Sequence, residues 1–395
     1  MRSGSAGLRL DRNELAGGLG DAGLLLPIAI ALVALNGLAA TAVFCGVGLA
    51  YVATGLYFRV PVPVQPLKAF AAAAVALGLS AETIAAGALL MAAAMSTLAL
   101  TGVADWAAAR FPLVLVRGIQ ASVALLLAKA AVELAERGNW SGLATITPGL
   151  GVAMAVAACA LLFLCSRTAR LPGSLIVLGA GIAVGIMAGN LPSHLALGPG
   201  AVSLSLPDGG AFGTALTALV IAQIPLTFGN SVVATADAER TYFGQGAIRV
   251  TPRRLASSIG TANIVAGLTH GLPVCHGAGG VTAHYRLGAR TAAATVSAGV
   301  VYLALGSLLG RSLPSGLLVV APGALAGMLL FVAIQHGRLA AQLDRLPDRL
   351  IAAGVGAVTI LTGNLALGFA AGVVALAARG AWRRLTAAAG SPARA

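Results

Sequence analysis

Charge is scarce in this chain, and negative charge scarcest: 9% of 395 residues are charged, with 12 Asp and Glu against 25 Lys and Arg. A soluble domain carries roughly 25% charged residues, so this composition cannot furnish a water-facing surface around a core. Carboxylates and histidines are too few and too scattered for a membrane-embedded enzyme. His194, His270, His276, His284 and His336 show no metal-ligand spacing, and no metal or other cofactor is expected. The four cysteines, Cys45, Cys159, Cys165 and Cys275, lie in apolar segments without a CxxC pair, which argues against a disulfide or zinc framework. Aromatic residues are 5% of the chain, so the formal charge of +13 has no stacking platforms beside it and does not read as a nucleic-acid surface. Gly277-Ala-Gly-Gly is not followed by Gly-Lys-Ser/Thr, so no nucleotide loop is present.

Hydrophobic residues fill 58% of the positions. Apolar blocks of about 16 to 25 residues, long enough to cross a ~30 Å hydrocarbon layer as helices, recur from Ala22 to Ala378, and about 12 to 14 can be separated. Ala and Gly dominate them, which lets helices approach closely in a large bundle. The arginines fall in alternate loops: Arg167 and Arg170; Arg240, Arg249, Arg253 and Arg254; Arg338, Arg345 and Arg349; Arg379, Arg383 and Arg384. Loops rich in Lys and Arg are cytoplasmic, so both termini are expected in the cytoplasm, with an even number of crossings, in a bacterial cytoplasmic (inner) membrane. The first 20 residues lack an apolar run with a cleavage site, so no removable signal peptide is expected.

Two short polar stretches interrupt spans that ought to be continuous: Pro61-Val-Pro-Val-Gln-Pro-Leu-Lys68 and Pro273-Val-Cys-His-Gly-Ala-Gly-Gly280. Unwound backbone survives at membrane depth only when buried in protein or lining a polar cavity. One break in each half is the mark of a carrier built from inverted repeats. The expected division is a lead over 1–20, a first repeat over 21–190, a second over 211–380 and a short tail over 381–395. Aligning Pro61 with Pro273 puts each break just after the second span of its repeat. The 281–309 block is long enough to hide an additional segment.

Pro66 suits the first turn of a helix, and an exposed helix N-terminus attracts anions. Gly277, Ala278 and Gly279 offer the same in the other repeat, together with His276. Lys68, a cation in a helix first turn, is disfavoured by the macrodipole and by the bilayer. Either a bound oxyanion or a carboxylate from Asp21 or Glu14 should compensate it, and Asp21 is also a candidate proton carrier. Gln120, beside Arg117, and Gln223 and Thr227 are candidate side-chain donors. Positions 223, 227, 230 and 231 fall on one helical face.

Those residues resemble the molybdate transporter family, a branch of the sulfate permease superfamily. The resemblance rests on Glu14-Leu-Ala-Gly-Gly-Leu-Gly-Asp21, the two breaks, Val116-Arg-Gly-Ile-Gln120, Gln223-Ile-Pro-Leu-Thr-Phe-Gly-Asn-Ser231 and Tyr285-Arg-Leu-Gly-Ala-Arg290. It implies an all-α membrane fold of 14 segments in two inverted seven-segment repeats, with two broken half-helices and a core and a gate domain. It further implies import of a tetrahedral oxyanion, molybdate before sulfate, by an elevator-like movement, with a coupling proton or cation and a homodimeric state as further expectations. A nucleobase carrier would leave Lys68 unexplained. A channel would need a continuous polar path, whereas the polar residues gather at one depth.

Overall fold

The computed structural model describes residues 11–19, 22–108, 112–136, 139–140, 144–145, 148–167, 173–189, 196–313 and 319–389. A seven-residue helix α1 (Arg12–Gly18), capped by the Asp11 carboxylate, precedes the spans. The first half then runs α2 (Ala22–Asn36), α3 (Ala40–Phe58), a two-residue strand β1 (Gln65–Pro66), α4 (Lys68–Ala76), α5 (Ala81–Thr101), the short α6 (Val103–Ala108), α7 (Leu113–Glu136), the strands β2 (Asn139–Trp140) and β3 (Ala144–Thr145), α8 (Pro148–Arg167) and α9 (Gly173–Met187). The second half runs α10 (Ala211–Ala247), α11 (Pro252–Thr269), β4 (Val274–Cys275), α12 (Ala278–Arg286), α13 (Ala292–Leu309), α14 (Pro322–Ala340), α15 (Leu346–Thr362) and α16 (Leu365–Ala389). Among the described residues, seven helices are long and apolar enough to span by themselves. The shorter or more polar ones and the two broken elements bring the crossings among the described residues to fourteen.

Corresponding features recur in each half. Each second span ends on a non-glycine residue in the left-handed region, Arg59 at φ 63° and His270 at φ 52°. After each break comes a nine-residue helix, α4 or α12. Each half-helix is closed by a turn with glycine at positive φ, Gly78 or Gly288, and the next span is capped by a hydroxyl, Ser80 or Thr291. The half-helices start 210 residues apart, so the alignment of Pro61 with Pro273 is two residues off. The 281–309 block does hold two elements, divided at Leu287-Gly288 between α12 and α13. Residues 381–389 continue α16, so the expected tail is helical there.

Packing also follows the two-fold exchange of halves. Helix α3 lies against α13, and α11 against α5; each pair joins the second span of one half to the fourth of the other. Both contacts are too close for side chains: a Cβ on Gly48 would sit 2.7 Å from Gly299 O, and one on Gly260 2.5 Å from Ser96 Oγ. These elements form the core domain with α2, α4, α10 and α12. Helices α7, α8, α14, α15 and α16 pack on one another as the gate domain, and α4 meets α7 where the two domains touch.

Asparagines splice the breaks into the bundle. Asn36 Nδ2 donates to Ala74 O and Leu79 O at 2.9 and 2.8 Å, closing the C-terminal end of α4. The fully buried Asn263 imitates a strand, donating to Val274 O at 2.6 Å and accepting from Val274 N at 3.1 Å. Asn263→Ala would leave two buried backbone groups unpaired, at about 1–3 kcal/mol each. A corresponding drop in the thermal midpoint of the detergent-solubilised protein is the expected result.

Candidate substrate site

The two breaks meet at the centre of the core domain. Strand β1 pairs antiparallel with β4, Gln65 opposite Cys275 and Pro66 opposite Val274, and Leu67 N donates to Pro273 O at 3.0 Å. This pairing satisfies backbone that lipid could not. It also sets the N-termini of α4 and α12 beside each other. Their N-cap residues, Leu67 and Gly277, have no side chain to cap with, so first-turn N–H groups remain for a ligand.

Three predicted residues converge there. Lys68 Nζ donates to Gln65 Oε1 at 2.6 Å, and both side chains are buried. Gly277 completes the trio by what it lacks. A Cβ on it would overlap Gln65 Oε1 and stand 2.9 Å from Gln65 Cδ and 3.3 Å from Lys68 Nζ. Gly279, by contrast, is exposed and faces open space, with the half-buried Ala278 next to it.

Gln223 and Thr227 join from α10. Gln223 Oε1 accepts from Phe70 N at 2.8 Å, capping α4 from outside, while its Nε2 donates to Thr227 Oγ1 at 2.7 Å. The expected single face is altered by π-helical turns at Leu216–Val220 and Thr227–Val233, a distortion that often marks functional sites. Gln223, Thr227 and Ser231 are buried; Asn230 is only half-buried. Gln120 lies on α7, the gate helix facing α4, and its Oε1 accepts from Arg117 Nη1 at 2.9 Å.

Two expectations need revision. Glu14 does not pair with Lys68: both its oxygens accept from the backbone N–H groups of Arg290 and Thr291, 3.0 to 3.3 Å away. It is therefore an anionic cap at the start of α13, where the helix dipole favours a negative charge. His276 does not offer a free ring nitrogen. Its Nδ1 lies 2.8 Å from Pro63 O and its Nε2 3.1 Å from Ser258 Oγ; since a carbonyl only accepts, Nδ1 carries the proton. The ring braces one break against the other. Asp21 lies outside the described residues.

One residue was missed. His336 of α14 is 4% exposed, its Nδ1 has no hydrogen-bond partner among the described residues, and it lies within electrostatic reach of the Lys68 ammonium. The polar pair Gln335-His336 inside an apolar span was the available signal. Among the described residues no carboxylate forms an ion pair with Lys68, and no group of three or more His, Cys, Asp or Glu could hold a metal ion. A separate cavity of about 760 Å³ opens between α3, α5 and α11 and reaches Cys275 and His276. Its lining is mainly apolar and does not include Gln65, Lys68 or Gly277.

Both the fold and the sequence have relatives among known proteins. The fold is similar to the transmembrane domain of a cyanobacterial bicarbonate transporter, BicA, with a TM-score of 0.64 at 17% identity over 92% of this chain and 97% of that one. It is also similar to murine Slc26a9, an anion transporter in the inward-facing state, with a TM-score of 0.66 at 15% identity over 95% and 69% of the two chains. Molybdate transporter 2 of Arabidopsis thaliana is 30% identical over 403 residues, 92% of this chain and 86% of that protein. Molybdate transporter 1 of the same plant is 27% identical over 91% and 86%. The family model described as "Molybdate transporter of MFS superfamily" matches residues 13–127 and 215–335. Those two stretches hold the two breaks, although the observed seven-plus-seven architecture differs from the six-helix halves of that superfamily. The chain belongs to the molybdate transporter family.

Proposed function

We propose that this protein is a secondary active transporter that imports a tetrahedral oxyanion, molybdate, by an elevator-like movement of its core domain against its gate domain. The observation that carries the reading is Lys68: a buried ammonium at a helix N-terminus, held by one neutral amide and paired with no carboxylate among the described residues. Such a charge is costly in a bilayer, and a dianion between the tips of α4 and α12 would offset it. Gln65 and Lys68 approach that anion from one repeat and the backbone of Gly277, Ala278 and Gly279 from the other. Gln223 and Thr227 hold the first turn of α4, and Gln120 lines the facing gate surface.

The repeats are assigned to 21–190 and 211–380, with both termini on the cytoplasmic side of a bacterial inner membrane as the arginine distribution favours. Moving a dianion inward against a negative-inside potential costs about 2.3 kcal/mol per charge per 100 mV, and cotransport of a proton or another cation would offset it. Dimerisation is part of the same proposal.

Uptake of radiolabelled molybdate into proteoliposomes, with excess unlabelled sulfate as competitor, tests the reading. Saturable uptake that resists sulfate is the expected result. Uptake abolished by sulfate would make this a sulfate or general oxyanion permease, and no uptake under imposed proton and sodium gradients would refute oxyanion transport.

A further inference from the structure

A second buried ionisable group lies far from the anion position. Glu239 of α10 has no solvent-accessible surface, and neither carboxylate oxygen has a hydrogen-bond partner among the described residues. It sits 16 residues after Gln223 on the same helix, about 24 Å along its axis at ~1.5 Å per residue. Around it the end of α10 packs on α12, and Ala236 and Phe243 join an apolar cluster with Phe58, Val60 and Val62 from the approach to the first break.

The ionisable groups on these elements do not neutralise it. On α10, Asp237 and Arg240 are exposed, while Tyr242 donates to Thr282 Oγ1 at 3.3 Å and stacks on Tyr285. On α12, Tyr285 is covered by the Arg290 guanidinium, His284 stacks on Tyr51, and Arg286 is exposed. Arg59, beside the apolar cluster, is exposed. None forms an ion pair with Glu239 among the described residues.

An ionised carboxylate without partners is not tolerated in such a place; it takes up a proton instead. A protonated carboxyl still has its own O–H to satisfy, so its burial is tied to this conformation. We infer that Glu239 is a proton-binding site of the transport cycle, one that must be filled for the core domain to adopt the state seen here and that empties when the end of α10 becomes hydrated. The carboxylate takes one proton from the side with higher proton activity and releases it to the other. This inference rests on the proposed oxyanion carrier and supplies one of its coupling ions.

The test compares wild type with Glu239→Gln, which imitates the protonated form without releasing a proton, and with Glu239→Asp. In proteoliposomes with the membrane potential clamped, each coupled proton multiplies the attainable molybdate gradient by about ten per unit of pH difference. The expected result for E239Q is preserved molybdate counterflow, which also reports folding, with one such tenfold factor lost and partly restored in E239D. A gradient in E239Q that follows the pH difference as in wild type would overturn the inference, as would wild-type accumulation indifferent to pH. Should the wild type carry no molybdate, infrared titration stands apart from the substrate reading. A protonated-carboxyl band present in wild type at neutral pH and missing from E239Q supports the inference, and its absence from wild type refutes it.

Discussion

Lys68→Met is expected to abolish saturable molybdate uptake while leaving the protein at least as stable as before. In the site as proposed, the ammonium faces a dianion in a water-poor setting, and truncating one member of a buried, hydrogen-bonded charge pair costs about 2–5 kcal/mol. That corresponds to a loss of affinity between about thirtyfold and several thousandfold. The stability half of the prediction separates a binding residue from a structural one. Without an anion, Lys68 is a buried charge whose hydrogen-bond partner among the described residues is Gln65 Oε1, and replacing such a charge by an apolar side chain of similar volume is often neutral or stabilising. Thermal denaturation of both proteins, with and without molybdate, reads this directly. The wild type should gain stability from the anion, and K68M should start level or higher and gain nothing. A large fall in the midpoint of anion-free K68M would mean that Lys68 holds the core together.

The second large effect is a contrast between two glycines two residues apart. A Cβ on Gly277 collides with the Gln65 amide, so Gly277→Ala must displace Gln65, break its hydrogen bond with Lys68 and strain the β1–β4 pairing. Gly277 has φ −165°, an extended conformation open to alanine, so the damage comes from the collision alone. Gly279→Ala meets nothing within 4 Å and leaves the fold untouched, but its methyl group enters the space that the anion is proposed to occupy. G277A should therefore lose thermal stability and transport together, whereas G279A should keep wild-type stability and show at least a tenfold rise in the half-saturating concentration, ~1.4 kcal/mol. Equal kinetics for G279A and wild type would move the anion away from the tip of α12.

Legibility in the sequence followed the strength of the local violation. Pro, Gln and Gly at bilayer depth break the rule that spanning backbone must satisfy itself, so both interruptions, and Gln65, Lys68 and Gly277 with them, could be read before any coordinates. The α12–α13 boundary was harder, because Leu287-Gly288-Ala289 is as apolar as its surroundings and only the left-handed Gly288, φ +110°, marks the turn. Glu14 was unreadable for another reason: its partners lie 276 and 277 residues away, and nothing local distinguishes a cap for a distant helix from a counter-ion for Lys68. His276 was misplaced because a histidine next to a glycine-rich helix start looks like a ligand contact, and only the fold shows both ring nitrogens occupied. Glu239 sits in Asp237-Ala-Glu-Arg240, a polar run that reads as solvated. Extension of α10 to Ala247 and its packing on α12 make one of those four positions fully buried.

The pairing of β1 with β4 also limits how the molecule can move. Each half-helix is anchored to the other repeat by main-chain hydrogen bonds and held from behind by asparagines, so one break cannot shift without dragging the other. In the proposed elevator-like movement, this paired centre slides as one body past the surfaces of α7 and α14. Amide exchange should record that division of labour, with the Leu67 N–H, held by Pro273 O, and the Val274 N–H, held by Asn263, among the slowest to exchange, whatever side of the membrane the anion is facing.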